Sequence, residues 1–394
     1  MTLISTTADL AAFCDRQSGA DFVALDTEFM RDTTYWPKLC LVQVGGPEEA
    51  VAIDTLAKGI DLAPFYRMLA DESLLKVLHS ARQDLEIFFH ETGKLPKPIF
   101  DSQVAAMVCG FGESVAYQTL ARELAGAKID KTSRFADWSH RPLTQRQIDY
   151  ALADVIHLRP IYRKLKRKLR HNGREAWLGQ EMDILTDPAT YRLTPEHAWR
   201  RLKPRSHDRR FLAVVRSVAA WREEEAQRRD VPRNRVLRDE QLMDIAAHRP
   251  KGAEQLGRTR GLSLDFAQGR LGQGILAAVQ EGLAVPDDER PKPVRRAELN
   301  GDPGPLLELL KVLLKLRCHE HHVAQKLVAS TADLEQLALD DEAPIPALQG
   351  WRRDIFGEAA LALKRGELAL GADGKEIAVI DLAPSAAPKK SAAS

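Results

Sequence analysis

The sequence predicts a mixed α/β domain followed by two all-helical units. Three features point there. Short apolar strands alternate with helical stretches over the first hundred residues. From about Ala116 onward the pattern is almost wholly helical. Two proline-bearing linkers cut that helical part.

The first clear strand is Phe22 to Phe29 (FVALDTEF). Val23, Ala24 and Leu25 are apolar without alternation, as in a strand buried on both faces. Asp26 and Glu28 interrupt it, and a period of two points both the same way. Paired carboxylates on a buried strand repel and are costly to desolvate. A divalent cation reverses that cost; an acid pair on a half-exposed edge strand is the alternative reading. Lys38 to Val44 and Ala50 to Ile53 read as two more strands, punctuated by Gly45-Gly46-Pro47, which suits an antiparallel meander.

Asp61 to Leu69 reads as a helix and Leu74 to Leu78 as a short buried strand. A helix starts at once from Ser80, where Ser80 and Gln83 fit a capping box and put Asp84 in the first turns. Acids are common there for dipole reasons alone, but strand ends are also where open sheets place ligands. Ile99-Phe100 is the last strand, with Asp101 as the N-cap of the next helix. Thr144 to Gln147 is a capping box that opens a helix carrying Tyr150 and Asp154, whose spacing of four puts them on one face. Pro160 should kink or end it, because it cannot donate to Ile156.

Asp187-Pro188 and Thr194-Pro195 mark the first linker, and Val285 to Pro305 the second. The expected domains are residues 1–195, 205–285 and 300–380, with a disordered tail over 383–394. Val236-Leu237, Leu242 and Ile245 in the first helical unit resemble Leu327-Val328, Leu334 and Leu337 in the second, which hints at a duplicated module.

The formal net charge is +1 over 394 residues, so bulk charge points to no partner. Arg159 to Arg174 carries many cations and no acid. Most such runs are solvated helix faces, though beside a metal site this one would suit a polyanionic substrate. The four cysteines show no paired spacing, as expected in a reducing compartment. With no signal-peptide pattern and no apolar run long enough for a bilayer, a cytoplasmic protein with no membrane partner is expected. Cys318-His319-Glu320-His321-His322 offers too few ligands, and no partner pair, for structural zinc.

Asp-x-Glu on a first strand, an acid at a later strand-to-helix junction and Tyr-x-x-x-Asp on a helix resemble the DEDD superfamily of 3′-to-5′ exonucleases, in its tyrosine-bearing branch. Leu25 to Arg31, Tyr35-Trp36-Pro37, Leu39 to Gln43, His79 to Asp84, Trp138 to Leu143 and Tyr150 to Val155 are similar to ribonuclease D in particular. The helical units resemble HRDC (helicase-and-ribonuclease-D C-terminal) modules, the first through Trp221 to Glu224 and Leu242 to Ala246, the second through Trp351 to Arg353 and Leu361 to Leu370.

The resemblance implies a ribonuclease-H-like mixed sheet and a catalytic set of Asp26, Glu28, Asp84, Tyr150 and Asp154. It implies two divalent ions, Mg²⁺ or Mn²⁺, the first on Asp26, Glu28 and Asp154, the second on Asp26 with Asp84 through water. Tyr150 would orient the attacking water. The substrate would be RNA with a free 3′ end, such as a tRNA precursor, cut to nucleoside 5′-monophosphates by a monomer. Phe29 and Met30 either stack on the terminal base or belong to the core. His79, Gln83, Lys131 and Arg141 are candidate substrate contacts; a structural histidine and solvated cations are the competing readings. A DNA exonuclease and a non-catalytic RNA-binding protein are the alternative functions.

Overall fold

Strand β2 (Phe22–Met30) lies inside the main sheet, whose strand order is β1-β4-β3-β2-β5-β6. The computed structural model describes residues 2–130, 132–133, 135–192, 194–204, 206–292 and 304–382. Lys131, most of the second linker and the expected tail over 383–394 lie outside them. The chain opens with β1 (Leu3–Ile4) and α1 (Thr7–Arg16), then β2, β3 (Lys38–Gly45) and β4 (Ala50–Asp54). These last three form the expected antiparallel meander. Next come α2 (Ala63–Ala70), β5 (Leu75–Leu78), α3 (Arg82–Thr92), β6 (Ile99–Asp101) and α4 (Ser102–Val108). β5 and β6 add in parallel beside β2. α5 (Tyr117–Leu120), α6 (Gln145–His171) and α7 (Glu175–Leu185) complete this part.

Two local expectations need correction. Ser80 is not an N-cap. Its φ is +59°, and α3 starts at Arg82 without a side-chain cap. The backbone N–H groups of Ser80 and Ala81 donate instead to the Asp101 carboxylate, at 3.1 and 2.8 Å. The same carboxylate caps α4 through Gln103 and Val104. Nor does Pro160 end its helix. α6 runs unbroken from the Thr144–Gln147 capping box to His171. Val155 and Leu158 before the proline, and Ile161, Tyr162 and Leu165 after it, are buried in one core, and that packing outweighs one missing hydrogen bond.

The helical part begins with α8 (Arg209–Arg229), α9 (Arg233–Val236), α10 (Asp239–His248), α11 (Ala253–Leu256), α12 (Leu264–Gln268) and α13 (Arg270–Ala284). Leu212, Val215, Leu242, Ile275 and Val279 form its core, joined by Ala198 and Leu202 from a stretch that read as linker. α14 (Gly304–Glu320), α15 (Gln325–Val328), α16 (Thr331–Leu339), α17 (Gly350–Arg352) and α18 (Glu358–Arg365) follow. The order long helix, single turn, helix recurs in α8–α10 and α14–α16. The last unit is not all-helical, however. β7 (Leu368–Asp373) and β8 (Glu376–Asp381) pair as a hairpin. Asp373-Gly374, with Gly374 at φ +60°, is a hairpin signal that a purely helical reading passes over.

Each helical unit is anchored to the α/β part by named contacts. Asp230 accepts from the backbone N–H groups of Tyr35 and Trp36, both at 3.0 Å. The Tyr35 hydroxyl donates to Glu223. In the last unit Trp351 stacks on Trp177 at 4.3 Å, and Arg352 pairs with Glu181.

Candidate metal centre

Asp26 and Glu28 share one face of β2, as period two requires. α6 crosses that face closely because Gly45, paired with Ala24 in the register, has no side chain. A Cβ at position 45 would lie 3.1 Å from the Val155 carbonyl oxygen and 3.2 Å from its Cβ. That approach brings Asp154 to the two strand acids. Carboxylate oxygens of Asp26, Glu28 and Asp154 all lie within 4.8 Å of one another. Asp84, in the first turn of α3, is 6% exposed and accepts a hydrogen bond from the Thr27 hydroxyl.

The electrostatics agree with the geometry. Burial pushes Asp26 and Asp84 well above the usual carboxylate range, and each is raised further by a neighbouring acid, Asp154 and Asp26 respectively. Burial, then Asp26, pushes Glu28 up to about 10. Burial raises Asp154 to about 7. Among the described residues no lysine or arginine forms an ion pair with these four. The chain has collected acids without supplying the counter-charge that would ionise them. The donors are all hard carboxylate oxygens, the set that suits Mg²⁺ or Mn²⁺. Gln43, opposite Asp26 in the register, is fully buried, and neither amide atom finds a hydrogen-bond partner among the described residues. A hydrated ion beside Asp26 would give that amide something to bind.

Comparison with known proteins places the chain in a family. A family model described as 3′-5′ exonuclease matches residues 1–170, and one described as HRDC domain matches residues 211–279. Ribonuclease D of Granulibacter bethesdensis is 52% identical over 380 residues, 96% of each chain. The chain belongs to the ribonuclease D family. Ribonuclease D of Acidiphilium cryptum is 50% identical, covering 96% of this chain and 97% of that one. The crystal structure of Escherichia coli RNase D superposes with a TM-score of 0.77 at 32% identity, over 93% of this chain and 98% of that one. A protein from Bifidobacterium adolescentis, 20% identical with a TM-score of 0.64, shares the fold over 91% of this chain and 96% of its own. The chain is therefore an exonuclease of the ribonuclease D type, with a mixed α/β exonuclease domain ahead of a helical HRDC region.

The other candidate residues fare unevenly. Tyr150 lies one turn before Asp154, half-buried, its ring 6.1 Å from that of Trp138. Arg141 is not free for phosphate. Its Nε and Nη2 bind the Asp54 carboxylate at 2.7 to 3.0 Å, and its remaining donors serve the carbonyls of Trp138, His140 and Cys40. His79 binds Ser102 through Nδ1 at 2.9 Å. Burial lowers its pKa and favours neutral imidazole, so the structural reading applies. Gln83 is exposed beside Asp84. Phe29 packs on the main core and Met30 on the cluster containing Leu41 and Trp138, both half-buried. Much of the basic tract is occupied in packing. Arg159 and Arg163 lie over the Phe22 ring, and Lys168 over Phe111. Arg174 serves the carbonyls of Val108, His321 and His322.

Three residues at the site escape sequence reasoning. Thr27 holds Asp84. Gln43 carried a signal: a polar residue inside an otherwise apolar strand. Tyr117 carried none. Its hydroxyl donates to the carbonyl oxygens of Ala153, at 3.3 Å, and Asp154, fixing the α6 backbone where it delivers the third acid.

Proposed function

We propose that this protein is a two-metal 3′-to-5′ exoribonuclease. It trims structured RNA, tRNA precursors among them, and releases nucleoside 5′-monophosphates as a cytoplasmic monomer. The convergence of Asp26, Glu28 and Asp154 carries this reading. Two divalent ions, Mg²⁺ or Mn²⁺, would supply a nucleophile at neutral pH and stabilise charge on the attacking and leaving oxygens. Asp26, Glu28 and Asp154 would hold one, and Asp26 with Asp84 the other. Tyr150 would orient the attacking water by a hydrogen bond. A phenol titrates near pH 10 in water, so orientation suits it better than proton abstraction. Phe29 and Met30, half-buried at the end of β2, would meet the terminal base. Gln83 would lie beside the leaving strand. The four cysteines stand free, which suits a reducing cytoplasm.

The domain limits 1–195, 205–285 and 300–380, and a second HRDC-type module in the last of them, belong to the same reading. The recurring order of α8–α10 and α14–α16 supports the second module. The test is a labelled RNA with a 3′ tail. Asp154→Ala should abolish release of mononucleotides in Mg²⁺, and unchanged release would end the proposal. Matched RNA and DNA strands, compared in rate, should favour RNA; equal rates would make it a general exonuclease.

A further inference from the structure

Where the segment after β2 meets α8 and α9, four arginines line a cavity of about 360 Å³. Arg31 follows the last residue of β2. Arg201 comes from the stretch before α8, Arg222 from α8 and Arg233 from α9, with Tyr35, Asn234 and the acid Asp239 also in the wall. We propose that this cleft binds internucleotide phosphates of the RNA, upstream of the 3′ end held at the acids; the inference rests on the exoribonuclease reading.

The charge balance favours an anion. Arg31 pairs with Glu86 at 2.7 and 3.0 Å, Arg233 with Glu223 at 2.5 and 2.6 Å, and Arg222 with Asp239 at 2.6 Å. Arg201 is exposed and makes no side-chain hydrogen bond among the described residues, so it leaves the cleft with positive charge in excess. The pairs also leave donors unused. A guanidinium has five N–H groups. Arg222 is engaged through Nη1 alone, and Arg233 through Nε and Nη2. Arg222 is 3% exposed, and its Nε finds no acceptor among the described residues. Buried donors left unmet are costly. Phosphate oxygens are the acceptors that the planar arginine fork fits.

The position suits an upstream subsite. Arg31 lies three residues beyond Glu28, just past the end of β2, a backbone separation of about 10 Å at the rise of a strand. A stacked nucleic-acid strand rises about 3.4 Å per nucleotide, so the cleft lies about three nucleotides from the reacting phosphate. The junction that holds the first helical unit in place would therefore also guide the strand into the acids.

The test uses the full chain and two RNAs, a ten-nucleotide single strand and a dinucleotide. Affinity for the ten-mer is measured in EDTA across a salt series for wild type, Arg201→Glu and Arg201→Lys. Arg201→Glu should weaken binding about tenfold, and the log–log salt slope should flatten by about 0.7, the value for one lost phosphate contact on a single strand. Arg201→Lys should keep most of the affinity and the slope. In Mg²⁺ the loss should appear in KM for the ten-mer, with the dinucleotide, too short to reach the cleft, as the comparison. Wild-type affinity and slope in Arg201→Glu would overturn the subsite. Binding that responds to Arg201→Glu in a chain that cleaves neither RNA would keep the subsite and remove the nuclease reading. An acidic peptide that competes at the cleft while the ten-mer does not would reassign it to a protein partner.

Discussion

The acid centre and the α8 junction bury the same residue type and treat it in opposite ways. Glu223 and Glu225 are 2% and 6% exposed, as buried as Asp84 at 6%. Hydrogen bonding to Arg270, then Arg228, holds Glu225 down to about 2 against its burial. Burial alone would push Glu223 up, but Arg233 and Tyr35 together outweigh it and hold it low. At the centre nothing outweighs burial, and all four acids rise. Burial does not distinguish the two regions; the source of the counter-charge does. The junction carries its cations in the chain. The centre needs them from solution, and so it can bind and release what a catalytic site must exchange.

Substitutions can break this contrast at either end. The largest effect should come from Asp26→Asn, since Asp26 would belong to both of the proposed metal positions: activity should fall by about 10³-fold. Its metal-free melting temperature should hold or rise, because a buried acid whose charged form nothing in the chain compensates is gone. Activity within tenfold of wild type would contradict the assignment. At the junction the stability effect is reversed. Arg233→Ala strands Glu223, and urea unfolding should show a loss of about 3–5 kcal/mol, largely recovered by adding Glu223→Gln. A loss below about 1 kcal/mol would mean that the pair is not what holds the unit.

Tyr117→Phe should have a smaller effect. It keeps the ring and removes the hydroxyl that serves the carbonyls of Ala153 and Asp154. A hydrogen bond worth about 1 kcal/mol predicts about a fivefold drop in kcat/KM, with Mg²⁺ affinity falling in parallel. Wild-type values for both would leave Tyr117 a packing residue.

The two regions also give opposite signs in pH dependence. Glu225 has a lowered folded pKa. Its contribution is present above its ordinary value and is lost as pH falls toward about 2. The centre's acids have raised folded pKa values. Their contribution is present at low pH and is lost as pH rises through about 7 for Asp154 and about 10 for Glu28. Metal-free melting temperatures should therefore decline from pH 5 to pH 9, and Glu225→Gln should flatten only the acid limb. A metal-free profile that climbs over pH 5 to 9 would contradict the centre's charge balance.

Much of the site was legible because its signals are local. The strand period placed Asp26 and Glu28 together, and the spacing of four placed Tyr150 with Asp154. Asp84 was placed in the first turn of α3, but through a capping box that does not form; a carboxylate 17 residues further on, Asp101, organises that turn. Long-range contacts were not legible. Nothing near Arg141 announces Asp54, and nothing near Tyr35 announces Glu223 and Asp230. The motif Tyr35-Trp36-Pro37, read from sequence as a family mark, docks the first helical unit. The β7–β8 hairpin was lost to the helical pattern preceding it, and Pro160 was over-weighted because its packing partners are distant in sequence.

The most direct test of the central claim is calorimetric. Mn²⁺ is titrated into the metal-free chain at pH 7, in two buffers that differ in heat of protonation. With Asp154 titrating at about 7 and Glu28 at about 10 before the ion arrives, binding should release at least about one proton per ion, and Asp154→Asn should lose most of the binding. Binding without proton release, or binding that Asp154→Asn leaves intact, would contradict a centre whose missing counter-charge is a divalent ion.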